Sequence, residues 1–246
     1  MRKFGLIGKK LGHSFSKKYF TAKFEHEGIQ DASYELYELA SIDQFPELLR
    51  SNPELIGVNV TVPYKEAVIP YLDALDSAAA RIGAVNTIRV KAGRTEGFNT
   101  DYIGFRDTLL TFYPVEKQSK ALVLGTGGAS KAVCTALTDL GIPFQQVSRH
   151  AGSGCITYQD ITATLLQPCN LIINTTPLGM HPDVNSFPAI PYEALTPQHY
   201  LYDLVYNPEI TSFMEKGKAS GAKVINGLGM LHGQAEAAWE IWNRVD

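Results

Sequence analysis

The stretch that decides the fold is Lys120-Ala121-Leu122-Val123-Leu124-Gly125-Thr126-Gly127-Gly128-Ala129-Ser130-Lys131-Ala132. Its pattern predicts a compact apolar strand, a glycine-rich turn and a helix that ends just before Gly141. Glycines in such a turn let the backbone approach a pyrophosphate, and the helix N-terminus offers unpaired N–H groups and a positive dipole end. The stretch therefore predicts a dinucleotide-binding unit, with an ordinary tight turn as the alternative that the glycines alone leave open.

The residues that follow the next predicted strand, 143–147, indicate which dinucleotide. That strand ends in Ser148-Arg149-His150. Folds that bind NAD usually place Asp or Glu at this point to bind the ribose 2′-hydroxyl, whereas an arginine here accommodates a 2′-phosphate. Arg149 therefore predicts NADP(H) as the cofactor, and a solvated surface arginine is the alternative.

Further apolar strands indicate the architecture of this unit. They are predicted at 169–174, 200–206 and 224–227, with helical segments between them. Strands that alternate with helices at this spacing are typical of a parallel, doubly wound sheet. The composition turns polar at 113–119, where we expect the unit to begin.

A second informative stretch lies upstream, at Gly57-Val58-Asn59-Val60-Thr61-Val62-Pro63-Tyr64-Lys65. Apolar and polar residues alternate from Val58 to Val62, which puts Asn59 and Thr61 on one face of a strand. Pro63 ends the ladder, and Lys65 falls just past the carboxyl end, where open α/β sheets bind ligands. An amide, a hydroxyl and an ammonium at one place suit a small polyhydroxylated substrate. The alternative is a half-buried strand followed by a solvated lysine.

Two polar positions beside predicted helices allow two interpretations. Ser14 and Ser16 precede a predicted helix at 17–27, where they either cap the helix or hold a carboxylate at its N-terminus, and both roles are compatible. Asp101 precedes a predicted helix at 102–112, so an N-cap role is the alternative to a functional one.

Composition and charge exclude several classes of protein. The 246 residues carry a net charge of −3, which gives no broad attraction to nucleic acid or to an anionic membrane. The three cysteines, Cys134, Cys155 and Cys169, have no C-x-x-C spacing, which argues against a disulfide framework or zinc site. The N-terminus shows no long apolar run of the kind found in signal peptides or membrane spans, so we expect a cytoplasmic protein.

Taken together, these motifs resemble those of the shikimate dehydrogenase family, in order and from end to end. The stretches that carry the resemblance are Ser14-Phe15-Ser16, Asn59 to Lys65, Gly83-Ala84-Val85-Asn86-Thr87, Asn99-Thr100-Asp101, Gly125 to Ala129, Asn174-Thr175-Thr176-Pro177-Leu178-Gly179-Met180, Asp203-Leu204-Val205-Tyr206-Asn207-Pro208 and Gly227 to Gln234. A chance match to all eight in sequence is implausible.

The resemblance implies a two-domain α/β enzyme that reduces 3-dehydroshikimate to shikimate with NADPH, in the shikimate pathway of aromatic amino-acid biosynthesis. Residues 1–101 with 228–246 are expected to form an α/β substrate-binding and catalytic domain. Residues 102–227 are expected to form a Rossmann-like, NADP-binding domain with a doubly wound parallel sheet. The active site is expected in the cleft between the two domains.

The resemblance also implies roles for single residues. Ser14 and Ser16, with Tyr206 nearby, are expected to hold the substrate carboxylate. The residues expected to bind the ring hydroxyls are Asn59, Thr61, Asn86, Asp101 and Gln234, with Lys65 also in contact with substrate. The residues expected to bind the cofactor are Gly125, Gly127, Gly128, Ala129, Ser148, Arg149, Thr175, Pro177, Gly179, Met180, Leu204, Gly227 and Met230.

The proposed chemistry follows from the residue types. Hydride transfer to a ketone leaves an alkoxide that needs a proton and a nearby positive charge, and Lys65 supplies both. Asp101 at its side favours the charged ammonium and orients it. The nicotinamide performs the redox step, so no metal is needed.

The chain departs from the family pattern after Arg149. Members commonly carry a second basic residue a few positions on, whereas here only His150, whose charge depends on pH, follows Arg149 before Cys155. A quinate or shikimate dehydrogenase that uses NAD is therefore one alternative, and a non-catalytic metabolite-binding relative is another. The expected partners are the small-molecule substrate and cofactor, with a monomer or homodimer as the assembly.

Overall fold

A computed structural model describes residues 1–12, 14–115, 119–150, 152 and 154–245. The chain folds into two compact units, one formed by 1–100 with 234–246 and the other by 101–233. The sequence-based division lay at 101/102 and 227/228, and its assignment of a role to each domain stays a prediction. The structural boundary between 233 and 234 falls inside the last helix of the chain, Leu228–Asn243.

The first unit contains a mixed six-stranded sheet. Its strands are β1 Arg2–Gly8, β2 Ala32–Glu38, β3 Leu55–Val60, β4 Ala74–Leu75, β5 Thr87–Lys91 and β6 Arg94–Phe98. Its helices are α1 Phe15–His26, α2 Phe45–Ser51, α3 Tyr64–Ala67 and α4 Ser77–Ile82, with short 3-10 turns at Ile42–Gln44 and Ile69–Tyr71. The strand order is β2-β1-β3-β5-β6-β4, with β1 parallel to β2 and β3, and β5 antiparallel to β3 and β6.

An aromatic core holds the terminal helix on this sheet. Phe4, Phe20, Tyr34 and Trp242 are all buried, and the ring of Phe20 stacks on that of Tyr34 with centroids 4.7 Å apart. The Trp242 indole donates a hydrogen bond of 3.0 Å to the Ile88 carbonyl, and it lies over Gly57, where a Cβ would come within 2.5 Å of the ring. Gly57, which opens the stretch Gly57 to Lys65, is therefore required by packing.

The second unit contains an all-parallel six-stranded sheet. Its strands are β7 Ala121–Leu124, β8 Phe144–Ser148, β9 Cys155–Thr157, β10 Leu171–Asn174, β11 Tyr200–Asp203 and β12 Lys223–Ile225. Its helices are α5 Thr100–Phe112, α6 Gly128–Asp139, α7 Ala163–Leu166, α8 Ser212–Ala219 and α9 Leu228–Asn243. Of these, α5 begins and α9 ends in residues of the first unit. The 3-10 turns are Tyr158–Asp160 and Tyr192–Ala194.

The strand order β12-β11-β10-β7-β8-β9 is that of a dinucleotide-binding sheet, built outward in both directions from β7. The order in which strands are added reverses between β7 and β10, and such sheets bind ligands at their carboxyl edge at that point. The predicted fold class, an α/β chain with a doubly wound parallel sheet in its cofactor unit, is confirmed. A buried core on this sheet includes Leu122, Ile172, Leu201 and Phe213.

The link between β8 and β9 differs from the expected alternation of strands and helices. Parallel strands are usually joined by a crossover of a dozen or more residues, but here only positions 149–154 separate them. The described residues of this link form no helix, and Ala151 and Ser153 lie outside the described residues. A link this short is too small to contain a crossover helix, so β9 follows β8 directly at the sheet edge.

Among the described residues, no helix is both long and apolar enough to cross a membrane.

Candidate active site

A cavity of about 530 Å³ opens at the carboxyl edge of the parallel sheet. It lies beside the ends of β7, β8 and β10, at the point where the strand order reverses. The lining residues are Gly125, Thr126, Gly127, Val147, Ser148, Arg149, His150, Tyr158, Thr175, Thr176, Pro177 and Leu178. Six of the predicted cofactor residues are among them: Gly125, Gly127, Ser148, Arg149, Thr175 and Pro177.

The glycine turn between β7 and α6 has a fixed backbone and an open outer side. Gly125 has φ +113°, and a Cβ there would come within 2.7 Å of Thr175 Oγ1, so only glycine fits. At Gly127 and Gly128 a Cβ would meet no protein atom within 4 Å. Gly127 precedes α6 without a side-chain cap, so no capping side chain competes with an anion for the N–H groups that begin the helix. The turn therefore fits the pyrophosphate of a dinucleotide.

Thr175 joins the two strands that flank the reversal point. Its backbone N–H and its side-chain hydroxyl both donate to the Leu124 carbonyl, at 2.9 and 2.8 Å. These bonds hold the loop after β10 against the end of β7. The loop that the sequence assigned to cofactor binding is thus placed beside the glycine turn.

The end of β8 supplies the cationic side of the cavity. Arg149 is exposed, and the Ser148 hydroxyl accepts a bond of 3.4 Å from the backbone N–H of His150. None of the described residues that line the cavity is Asp or Glu. An arginine without a neighbouring carboxylate suits a 2′-phosphate better than a free 2′-hydroxyl.

Sequence reasoning missed a buried network that ties the loops after β10 and β11 together. The Asp203 carboxylate is fully buried and accepts bonds from Asn174 Nδ2 at 2.9 Å, Val205 N at 3.0 Å and Thr211 Oγ1 at 2.6 Å. Asn174 Oδ1 in turn accepts from the N–H and hydroxyl of Thr176, at 3.1 and 2.6 Å. Both residues lie in motifs quoted above, and polar residues that end apolar strands are the signal that identifies them.

The ionisation of Asp203 is perturbed by this environment. Burial raises its pKa to about 6, although the bonds from Thr211, Val205 and Asn174 act in the opposite direction. Burying the charged carboxylate therefore costs folding free energy. We infer that Asp203 is kept at this position because its hydrogen bonds fix the loops after β10 and β11.

The other predicted cofactor residues lie on the glycine helix, on neighbouring loops and on α9, and they are not among the described residues lining the cavity. Ala129 and Gly128 begin α6, Gly179 donates from its N–H to Ser186 Oγ at 2.9 Å, and Met180 is 46% exposed.

A close backbone contact joins the loops after β11 and β12. The Leu204 N–H donates to the Asn174 carbonyl at 2.9 Å, and the Gly227 N–H donates to the Val205 carbonyl at 3.1 Å. A Cβ at Gly227 would lie 2.1 Å from the Leu204 carbonyl oxygen, so glycine is required there by contact. Met230 is buried in α9, and Tyr206 is 39% exposed in the loop after β11.

The predicted substrate residues of the first unit form a second polar group. Asn59 is buried, with its Oδ1 accepting from Tyr34 OH at 2.7 Å and its Nδ2 donating to the Asn86 carbonyl and Thr87 Oγ1 at 3.2 and 3.1 Å. Burial raises the pKa of the Tyr34 phenol and the Ser16 side chain acts in the opposite direction, so Ser16 lies near a tyrosine that the sequence analysis did not single out.

Asn86 organises the start of α5. Its Oδ1 accepts from the backbone N–H of Thr100 at 2.6 Å and from the Thr100 hydroxyl at 3.2 Å. The Thr100 hydroxyl also lies 3.5 Å from Gln234 Oε1. Among the described residues the Asn86 Nδ2 group donates to no protein acceptor, and its binding of a ligand oxygen stays a prediction.

The two serines that were predicted to precede the first helix differ in position. Ser14 is the N-cap, and its hydroxyl accepts from the Lys17 N–H at 3.3 Å, whereas Ser16 is the second residue of the helix. The capping role is confirmed for Ser14 and is wrong for Ser16, because the helix begins at Phe15. Carboxylate binding by either serine stays a prediction. Thr61 follows β3, and its backbone N–H donates to the Ile7 carbonyl at 2.9 Å.

Lys65 lies in α3, the single helical turn after β3, and is partly buried. Tyr64 anchors this turn by donating from its hydroxyl to the Leu39 carbonyl at 2.6 Å, and the Lys65 carbonyl accepts from the Val85 N–H at 2.7 Å. Asp101 is the second residue of α5, which begins at Thr100. The alternative that Asp101 is the N-cap is therefore wrong, because Asn86 fixes the preceding N–H and starts the helix earlier.

Comparison with known proteins agrees with these features. A family model described as the shikimate dehydrogenase substrate binding domain matches residues 6–88. The shikimate dehydrogenase (NADP(+)) of Clostridium beijerinckii is 40% identical, over 98% of this chain and 92% of that protein.

Solved structures show the same fold over nearly the whole chain. Shikimate 5-dehydrogenase from Thermus thermophilus, in complex with NADP(H) and shikimate, has a TM-score of 0.86 and 33% identity, over 99% of this chain and 94% of that one. Quinate dehydrogenase from Corynebacterium glutamicum, in complex with NAD, has a TM-score of 0.87 and 27% identity, over 98% and 93%. Because a shikimate dehydrogenase is 40% identical over 98% of this chain, the chain belongs to the shikimate dehydrogenase family.

Proposed function

We propose that this protein catalyses the reversible, NADPH-dependent reduction of 3-dehydroshikimate to shikimate in the shikimate pathway. The observation that carries the proposal is the cavity at the reversal point of the parallel sheet, in a chain of this family. It combines an open glycine turn with Arg149 and no lining carboxylate among the described residues. Those are the features expected of a site for a dinucleotide with a 2′-phosphate.

The cofactor is held by backbone and cationic groups of the second unit. The N–H groups at the start of α6 bind the pyrophosphate, Arg149 binds the 2′-phosphate, and the loops after β10 and β11 bind the nicotinamide end. NADPH supplies, when bound, the hydride that reduces the ketone carbon. The Asn174–Asp203 network supports this end by fixing the loops that begin at Thr175 and Leu204.

Lys65 donates the proton that completes the reduction. The ketone oxygen gains negative charge as its carbon accepts hydride, and an ammonium beside it stabilises that charge and then protonates the oxygen. Asp101 orients the ammonium and keeps it charged. In the reverse direction, neutral Lys65 accepts the proton of the shikimate hydroxyl.

The remaining polar groups of the first unit hold the substrate. Ser14 and Ser16, with Tyr206, bind the carboxylate, and Asn59, Thr61, Asn86 and Gln234 bind ring hydroxyls. The Asn86 amide supports this role, because its Oδ1 is used by Thr100 whereas its Nδ2 has no protein acceptor among the described residues. One amide thus serves both the fold and the ligand.

Cofactor absorbance tests the proposal directly. The protein is mixed with 3-dehydroshikimate and either NADPH or NADH, and in reverse with shikimate or quinate and either oxidised cofactor. We expect the fastest turnover with NADPH and 3-dehydroshikimate. A strong preference for NAD and quinate would assign the protein to the quinate-oxidising alternative, and ligand binding without turnover would make it a metabolite-binding module.

We further propose that the protein acts in the cytoplasm as a monomer or homodimer. All three cysteines are free, which agrees with a reducing compartment. Light scattering coupled to size-exclusion chromatography tests the assembly.

A further inference from the structure

Tyr158 carries a buried polar atom that the fold leaves without a partner. Its hydroxyl oxygen has no hydrogen bond among the residues that the structure describes. The ring packs against the apolar core of the second unit, and the residue lines the same cavity as the glycine turn and Arg149. A buried hydroxyl without a partner costs stability, so its presence at a ligand cavity suggests that a ligand supplies the acceptor.

The register of the sheet places Tyr158 next to Arg149. Ser148 at the end of β8 pairs with Thr157 at the end of β9, so Arg149 and Tyr158 are the next residues at neighbouring positions of the same edge. The six-position link between the strands brings this about, because it lets β9 follow β8 without a crossover helix. The phenol also interacts electrostatically with the Arg149 guanidinium.

The protonation state of Tyr158 makes its hydroxyl a donor. Burial raises the pKa of the phenol, and the charge of Arg149 opposes this only in part. The hydroxyl therefore keeps its proton at neutral pH. No carboxylate is found among the described lining residues to accept that proton, so the acceptor must come from a bound molecule.

We propose that Tyr158 is a specificity-determining residue that donates a hydrogen bond to the 2′-phosphate of NADP(H), beside Arg149. It takes the place of the second basic residue that Ser148 to Ser153 lacks. The inference rests on the proposed function, since it requires that the cavity bind this cofactor. A phosphate dianion accepts a stronger hydrogen bond than a ribose hydroxyl, so the phenol favours NADP(H) over NAD(H).

The test is binding by isothermal titration calorimetry, which needs no turnover. Tyr158→Phe keeps the ring and removes only the hydroxyl. We expect the dissociation constant for NADPH to rise about tenfold or more, the usual loss of a hydrogen bond to a charged group. The dissociation constant for NADH should change by less than about threefold, because NADH has no 2′-phosphate to accept the charge-assisted bond.

Tyr192→Phe is the matched control. Tyr192 packs against the same core, but its hydroxyl donates to the Pro188 carbonyl at 2.8 Å and it does not belong to the cavity lining described above. Its loss should leave the ratio of the two dissociation constants unchanged. Thermal unfolding without ligand gives a second measurement: Tyr158→Phe should melt at or above the wild-type temperature, because the hydroxyl has no partner to lose in the part of the chain that the structure describes.

The outcomes separate this inference from the proposed function. A selective loss of NADPH affinity in Tyr158→Phe alone supports the inference. Equal losses for both cofactors, no loss, or a clearly lower melting temperature would overturn it, the last because it reveals a structural partner. Wild-type protein that binds NADPH no more tightly than NADH would instead count against the cofactor in the proposed function.

Discussion

The ionisation of Asp203 makes the stability of the second unit depend on pH in an unusual direction. Its pKa is raised to about 6 from an ordinary 3.8, mainly by burial. A group that binds its proton more tightly in the folded state contributes stability that is fully present below the unfolded pKa. That contribution is lost as the pH rises through the folded pKa. Two pKa units correspond to about 3 kcal/mol between pH 4 and pH 7.

Asp203→Asn isolates this effect. Asn keeps the size of the side chain, and its Oδ1 can accept the bonds that Asn174 and Val205 donate to Asp203. Its Nδ2 replaces the oxygen that accepts from Thr211, and it can donate to that hydroxyl instead, because a hydroxyl both donates and accepts. The variant cannot ionise. We expect its free energy of unfolding, relative to wild type, to increase by about 3 kcal/mol from pH 4 to pH 7.

Two measurements check the reasoning. Urea unfolding at a series of pH values gives the difference between wild type and variant, and carbon-13 NMR of the labelled carboxyl gives the midpoint directly, expected near 6. Asp160→Asn is the control in the same unit, because bonds from Thr157 lower the pKa of that carboxyl and its contribution is instead lost on acidification. A midpoint below 4 for Asp203 would refute the argument, since it would mean that three donors outweigh burial.

Three further substitutions test the site. Lys65→Ala should lower kcat by about 10²–10⁴-fold with a smaller change in KM for substrate, because a positioned proton donor is lost; steady-state kinetics measures both. Arg149→Ala should raise KM for NADPH by about tenfold or more and KM for NADH by far less, since only the former has a 2′-phosphate. Gly227→Ala should destabilise the protein by about 1–3 kcal/mol, because its Cβ would lie 2.1 Å from the Leu204 carbonyl oxygen and the backbone must shift. Thermal unfolding measures this, with Gly12→Ala as the control, since a Cβ there meets no atom within 4 Å.

Each of these expectations has a contrary result. Near-normal turnover of Lys65→Ala would remove this lysine from the mechanism. Equal changes for the two cofactors in Arg149→Ala would reject recognition of the 2′-phosphate. A melting temperature of Gly227→Ala equal to that of Gly12→Ala would show that the loops after β11 and β12 adjust without cost.

The local features were predictable because they depend on neighbours in the sequence. The strand, glycine turn and helix at 120–139 follow from apolar runs and glycine spacing, and the resemblance to a family follows from residues quoted in order. Ser14 as the cap of α1 and the end of β3 before Pro63 are local events of the same kind. Asp101 shows the limit of such reasoning, because the Thr100 N–H donates a long-range bond to Asn86 Oδ1 and α5 begins one residue before Asp101.

The sequence by itself determined the fold class, the family and the glycine turn, since periodicity, turn chemistry and motif order are written along the chain. Only the tertiary structure decided that Asp203 is buried among three donors, that Gly227 touches the Leu204 carbonyl, and that Tyr158 follows β9 beside Arg149. These depend on which strands become neighbours and in which register. Sheet order and register are set by packing between segments far apart in sequence, which no local pattern contains.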